Sequence, residues 1–232
     1  MSTTTQPQPL SNRTTTEATE TNAVDSIQFW YEKNKKLVNG LVVAVLVVVI
    51  ATVGYFRFYL APREAKAAAK VFYAQQYFAA DSFQRALQGD GQHPGFVKVA
   101  RDYSGTKTAN LCHYYAGVSY LKTGDAKKAI KELEDFSGKG TLLESAAAGM
   151  LGAAYMDNGN TKKAIEQFQK ASSNKEDNVQ TPMYLMSLGT AYEMDKKPDE
   201  AKKAYLRIRD EYPASMQARE IDRNLARLGV LN

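Results

Sequence analysis

Few residues in this 232-residue chain are of types that perform chemistry, and their spacing does not support it. The two histidines are His93, in a Gly-rich stretch, and His113, beside the single cysteine, Cys112. A metal site needs clustered His, Cys and carboxylates. Neighbours on a helix point about 100° apart, so Cys112 and His113 make a poor chelating pair. Cys112 lies in an apolar, aromatic run and is expected to be buried; one cysteine allows no internal disulfide. The Gly138-Lys-Gly-Thr141 stretch invites a phosphate-loop reading. That motif requires Gly, four residues, then Gly-Lys-Ser/Thr after a strand, so this stretch reads as a turn between helices. Asn12-Arg-Thr14 is a formal glycosylation sequon in a tail expected to be cytoplasmic, and reads as chance. The sequence contains no dinucleotide fingerprint, no G-x-S-x-G and no H-E-x-x-H. We therefore expect no catalytic, cofactor-binding or metal-ligating residue, and not an enzyme.

The elements that could carry another function are clearer. Residues 1–36 are rich in Thr, Gln, Asn, Ser and Glu and hold too few large apolar residues to offset chain entropy, so a disordered polar tail is expected. Residues 37–56, from Leu37 to Phe56, carry no charge. About 20 residues at about 1.5 Å each span the hydrocarbon core of a bilayer. The Val-rich composition would suit a strand in water, but a lone strand in lipid leaves its backbone groups unpaired, which favours a helix. Trp30 and Tyr31 precede the run, and Tyr55, Phe56, Phe58 and Tyr59 close it, as in interfacial belts. A mostly polar segment of 36 residues comes first and bulky aromatics follow, unlike a cleaved signal peptide. Lys33, Lys35 and Lys36 crowd the N-terminal edge, while Arg57, Arg63, Lys66 and Lys70 follow the C-terminal one. The counts nearly balance, and the tighter cluster favours a cytoplasmic tail.

Beyond the anchor the chain repeats itself. Gly117 and Tyr120 are followed by Ala129 and Leu133; Gly152 and Tyr155 by Ala164 and Phe168; Gly189 and Tyr192 by Ala201 and Tyr205. Each copy reads G-x-x-Y, then Ala nine residues after Tyr, then a large apolar residue four later. Gly and Ala let two helices approach closely, and the large residue fills the space between them. Gly124 and Gly159 can adopt positive φ and stop each first helix, while Pro198 suits the first turn of a second helix. Phe136 stands where the second copy has the small Ala171, which breaks the pattern of close packing. Upstream, Arg63 to about Leu87 reads as one long helix with Phe72, Phe78, Phe83 and Leu87 as its apolar stripe and Pro62 at a bend. Gly89–Gly95 reads as a loop, and Phe96–Tyr103 as a short helix. Met216–Leu228 reads as a terminal helix with Ile221, Leu225 and Leu228 turned inward.

These three copies resemble tetratricopeptide repeats, with Pro213 at the family's closing proline. The resemblance covers about 110 to 213. It implies an all-α fold: one N-terminal transmembrane helix, then a right-handed tetratricopeptide-like α-solenoid with a C-terminal capping helix. The expected divisions are the tail (1–36), the transmembrane helix (37–56), a linker helix and short helix packing on the solenoid (57–104), three helix pairs (105–213) and the capping helix (214–232). The family lines its concave face with first helices. That places Leu111, Tyr114, Val118 and Lys122 there from the first pair, Ala146, Gly149, Ala153 and Met156 from the second, and Met183, Met186, Thr190 and Met194 from the third. Such a surface is apolar and Met-rich, suited to a partner's extended or helical apolar segment. Some members hold a C-terminal carboxylate with Lys and Asn in the groove; here those positions hold Leu, Tyr, Val, Ala and Thr, which argues against that mode.

The whole layout also resembles the single-pass ancillary subunits of the bacterial SecYEG translocon (YfgM type), which associate with the export channel and with periplasmic chaperones. This implies a scaffold in the bacterial inner membrane, tail in the cytoplasm and repeats in the periplasm, with protein partners. The alternative is a structural subunit of a larger membrane complex with one obligate partner. A homo-oligomer through residues 63–87 is a further expectation. The net charge of +5 belongs to the repeat-bearing part, but its lysines are dispersed in pairs such as Lys127-Lys128 and Lys162-Lys163. That pattern reads as a solvated face, and no nucleic-acid partner is expected.

Overall fold

The computed structural model describes residues 14–141 and 143–230, with side chains from Asp25. Among the described residues every regular element is helical, apart from one isolated bridge between Gly89 and Pro94. The chain divides into two compact units, one ending at Tyr59 and the other running from Leu60.

In the first unit, α1 runs from Thr14 to Gly54 and continues into a π-helical turn, Tyr55–Leu60. The expected boundary between tail and anchor at residue 36 falls inside this helix; residues 1–13 lie outside the described residues. The physical reason is nucleation. The apolar run supplies a helical end from which each further residue adds one hydrogen bond, so polar residues upstream can extend it. The large side chains of the apolar run are exposed, from Leu37 at 68 % to Phe56 at 56 %. This helix is long and apolar enough to cross a membrane. Pro62, in the first turn of α2 (Ala61–Ala79), lacks the N–H that would bond to Phe58, and the wider turn lies just before it.

The second unit is a stack of helix pairs. α2 is followed by α3 (Phe83–Gln88), α4 (Phe96–Asp102), α5 (Lys107–Lys122), α6 (Ala126–Asp135), α7 (Leu143–Asp157), α8 (Thr161–Ala171), α9 (Gln180–Met194), α10 (Pro198–Glu211) and α11 (Met216–Arg227). The single helix expected over 63–87 is broken at Ala80–Ser82, where Asp81 takes a φ of 53°. Its buried stripe is Ala67, Val71 and Ala74, with Phe78 half-buried. Phe72, one position round the helix from Val71, is 52 % exposed and does not join it. That stripe packs with Ala86, Leu87, Phe96, Val99 and Cys112.

Glu64 fixes α2 to α5. Its carboxylate accepts from the backbone N–H groups of Lys107 (2.6 Å) and Thr108 (3.0 Å), capping α5 from 43 residues away. Arg63 donates to the Asp102 carbonyl at 3.1 Å beside it.

The repeat pattern becomes packing in a direct way. A Cβ added at Gly117 would lie 2.5 Å from Leu133 Cγ, and one at Gly152 would lie 2.7 Å from the Phe168 ring. One at Gly189 would overlap the ring of Tyr205. Ala129, Ala164 and Ala201, on the opposing helices, are all fully buried. Each first helix therefore carries a notch, and the second helix of the same pair fills it.

The turns repeat as well. Gly124 (φ 80°) and Gly159 (φ 76°) close α5 and α7, and Gly229 (φ 78°) closes α11. In each, two backbone hydrogen bonds reach back over the last turn, as from Asp125 to Tyr120 (2.9 Å) and from Gly124 to Leu121 (3.1 Å). The third pair holds the same turn with Lys196 at φ 59°, where the other copies place Gly. Asp125 and Asn160 then cap α6 and α8 by accepting from Lys128 and Lys163, while Pro198 opens α10 without such a cap.

Phe136 does not crowd the helix interface. α6 ends at Asp135, Phe136 is extended (ψ 129°), and its ring lies 5.4 Å from that of Tyr114. The shorter helix accommodates the large side chain that the equivalent Ala171 does not need.

Replacing Gly189 with Ala adds helix propensity of ~1 kcal/mol. It should nevertheless destabilise the full chain by about 1–2 kcal/mol, because overpacking dominates. A urea midpoint in detergent that shifts downward agrees, and one that rises contradicts the notch.

Candidate functional site

The residues expected to line a groove lie on α5, α7 and α9, and the first helices touch in the order α5, α7, α9, α11. Their surroundings differ. Val118 is buried; Leu111, Tyr114, Met156 and Met186 are half-buried; Lys122, Met183, Thr190 and Met194 are exposed. Met156 and Met186 pack against the core around Tyr205 and Ile208. Met186 is also covered by α11, whose Asn224 side-chain amide donates to its Sδ at 3.4 Å. The Thr190 hydroxyl donates to the Met186 carbonyl of its own helix at 3.1 Å. The surface open to a partner on α9 is thus Met183 (41 % exposed), Thr190 and Met194 (59 %).

Two networks hold the first helices in register. The Tyr155 hydroxyl on α7 donates to Glu134 on the preceding α6, and also accepts from Lys163 at 3.2 Å. One repeat later, Gln169 on α8 donates to the Tyr192 hydroxyl on α9 at 2.7 Å. Glu134 and Gln169 are 35 residues apart, so equivalent positions reach for the repeat tyrosine of the next pair. Lys128 and Lys163 lie over the Tyr120 and Tyr155 rings, at 5.4 and 4.9 Å from their centres. One lysine of the Lys127-Lys128 pair and one of the Lys162-Lys163 pair therefore lies over a repeat tyrosine.

At the C-terminal end Glu193 joins three helices. It accepts from Tyr205 of α10 at 2.6 Å and from both-oxygen contacts with Arg227 of α11 at 2.7 Å. Burial, with Glu193 beside it, pushes the Tyr205 hydroxyl up to about 12, so it remains a donor at any physiological pH.

The chemically capable residues are placed as follows. Cys112 is buried, and burial, reinforced by Glu132 and Glu64, pushes its thiol up to about 12, which suppresses the nucleophilic thiolate. His113 Nδ1 lies 2.8 Å from Glu132 Oε2, linking α5 to α6. His93 Nδ1 lies 2.9 Å from Asp90 Oδ2, and its ring stacks on Tyr73 at 3.6 Å. Asp90 also accepts from the Tyr77 hydroxyl (2.6 Å) and from the amides of Gln92 and His93. Those bonds hold its carboxyl far below the usual carboxylate range, the Tyr77 hydroxyl acting most strongly. Sequence reasoning treated residues 89–95 as a plain loop. The available signal was Tyr73 and Tyr77 one helical turn apart, followed by an Asp with a His three residues later.

The comparisons agree with this geometry. The family described as Tetratricopeptide repeat matches residues 114–179 and again 150–216. Among solved structures, the chain is similar to a kinesin-light-chain-type protein of nearly identical TPR-like repeats from Podosopora anserina. The TM-score is 0.54 at 16 % identity, covering 71 % of this chain and 85 % of that one. No curated protein matches the sequence. Residues 114–216 therefore match tetratricopeptide repeats, and the fold of the second unit is that of a tetratricopeptide-like α-solenoid.

The Glu132 hydrogen bond raises the His113 pKa above the ordinary histidine range in the folded state. Coulombic attraction from Glu132 and Asp135 adds to this, against desolvation and Lys131. A raised folded pKa gives stability that is complete below the unfolded pKa and lost as pH rises through the folded one. The wild-type advantage in melting temperature over His113→Gln should be larger at pH 5.5 than at pH 9. An advantage independent of pH contradicts the charged pair.

Proposed function

We propose that this chain is a membrane-tethered protein-interaction scaffold. On this reading residues 37–56 anchor it in the bacterial inner membrane, the tail is cytoplasmic, and the repeats work in the periplasm. The partners are proteins of the export channel or periplasmic chaperones, engaged through the faces of α5, α7 and α9.

The observation that carries the tether is the exposure of an uncharged, Leu- and Val-rich helix that no other part of its unit covers. In water that much apolar surface is unfavourable at roughly 25 cal/mol per Å2, whereas lipid removes the penalty. The Lys33, Lys35 and Lys36 cluster supports the orientation. The scaffold role is supported by the repeats together with what their interior leaves over. The notched helix pairs consume the large side chains, and Met183 and Met194 remain exposed on α9. Thioethers in that position adapt to varied apolar partners.

One crosslinking experiment addresses the anchor, the orientation and the groove together. Intact spheroplasts treated with a membrane-impermeant amine crosslinker should join the repeats to partner proteins. Met183→Glu/Met194→Glu should abolish those adducts while leaving the helical spectrum intact. Adducts that form only in inverted vesicles overturn the orientation, and adducts unchanged in the double variant overturn the groove.

A further inference from the structure

We propose that a cavity between α2, α4 and the 89–95 loop binds a phosphate group. Its volume is about 240 Å3. That is below the roughly 300–1,000 Å3 of pockets that enclose drug-sized ligands, and fits a small anion with a few attached atoms.

The lining is rich in donors. Lys70 comes from α2, Lys98 from α4, Gln88 from the end of α3, and Gln92 and His93 from the loop. The one carboxylate on the wall, Asp102, already pairs with Arg101 at 3.0 Å. Lys70 and Lys98 are both exposed, and neither makes an ion pair or side-chain hydrogen bond among the described residues, so two uncommitted cations line one cavity against a single carboxylate. Charge-assisted bonds from two ammonium groups and flanking amides match a phosphate's oxygens.

The wall is also held in place. His93 is gripped through Nδ1 by Asp90 and by stacking on Tyr73, which fixes its ring in the wall. The loop is closed by glycines at both ends; a Cβ on Gly95 would collide with the backbone of Leu87. A preorganised wall does not need to be ordered when a ligand arrives.

Comparison within the molecule separates this cavity from its neighbours. The cleft between α8 and α10 also collects cations, but Lys203 there is paired with Glu200 at 2.9 Å, and Arg207 with Glu211 at 3.1 Å. In the cleft beside the 136–144 loop, Lys170 is paired with Glu144 at 3.3 Å. Each of those two clefts also holds one lysine outside any ion pair, Lys175 and Lys139, whereas the 89–95 cavity, among these three, holds two.

The phosphate could belong to a soluble monoester or to a lipid headgroup; the recognition chemistry is the same. The test uses the full chain in a maltoside detergent and calorimetric titration with inorganic phosphate, glycerol 3-phosphate and dioctanoyl phosphatidate. Saturable phosphate binding is expected, weakened at least about tenfold by Lys70→Gln/Lys98→Gln. Lys203→Gln/Arg207→Gln should leave it unchanged. Phosphatidate binding more tightly than glycerol 3-phosphate, with the same lysine dependence, identifies a lipid source, and equal affinity identifies a soluble one. No saturation with any of the three, or equal weakening by both lysine-bearing pairs, overturns the site. Circular dichroism of each variant establishes that the fold persists.

Discussion

The structure rests on a steric match between a missing side chain and a large one. Gly117, Gly152 and Gly189 leave notches on first helices, and Leu133, Phe168 and Tyr205 on the second helices fill them. Helix pairs gain most of their stability from such close apolar contact and little from propensity, since an interior glycine alone costs ~1 kcal/mol relative to Ala. The notch must therefore be repaid in packing, and fully buried Ala129, Ala164 and Ala201 bring the backbones near enough for that. Everything else follows from the pairs being rigid units. The Tyr155–Glu134 and Tyr192–Gln169 bonds then need only set how one pair meets the next.

The same match explains what remains for function. Because the large side chains of the repeats point into the pairs, the outer face of the first helices keeps flexible or small residues. Met186 and Met156 serve partly as filler, and α11 lies over Met186, so the open surface narrows to Met183, Thr190 and Met194 on that helix. Glu193, shared by Tyr205 and Arg227, ties the terminal helix to the third pair. A scaffold built this way has a stiff interior and an adaptable rim.

Much of the repeat region was legible because its signal is local and recurs. Gly and Tyr three apart, and Ala four before a large residue, report helical faces without any tertiary knowledge. The turn at Lys196 is harder to read, since the sequence lacks the glycine that the position favours, yet the same two local hydrogen bonds, to Glu193 and Tyr192, close it. The upstream helices were read less well. Ala80-Asp-Ser82 carries no glycine or proline, so its break depends on how Leu87 and Phe96 pack against Val71. The Glu64 cap on α5 spans 43 residues, and the Asp90–Tyr77 contact depends on a loop folding back on a helix; neither distance is encoded in spacing.

The most direct measurement of the notch is a double-mutant cycle on the second pair, with Gly152→Ala and Phe168→Ala followed by urea unfolding of the full chain. In the wild-type background Gly152→Ala should destabilise by about 1–2 kcal/mol through overpacking. With Phe168 truncated the same change should become neutral or stabilising, giving a coupling of at least about 1 kcal/mol. An identical effect of Gly152→Ala in both backgrounds would contradict the account.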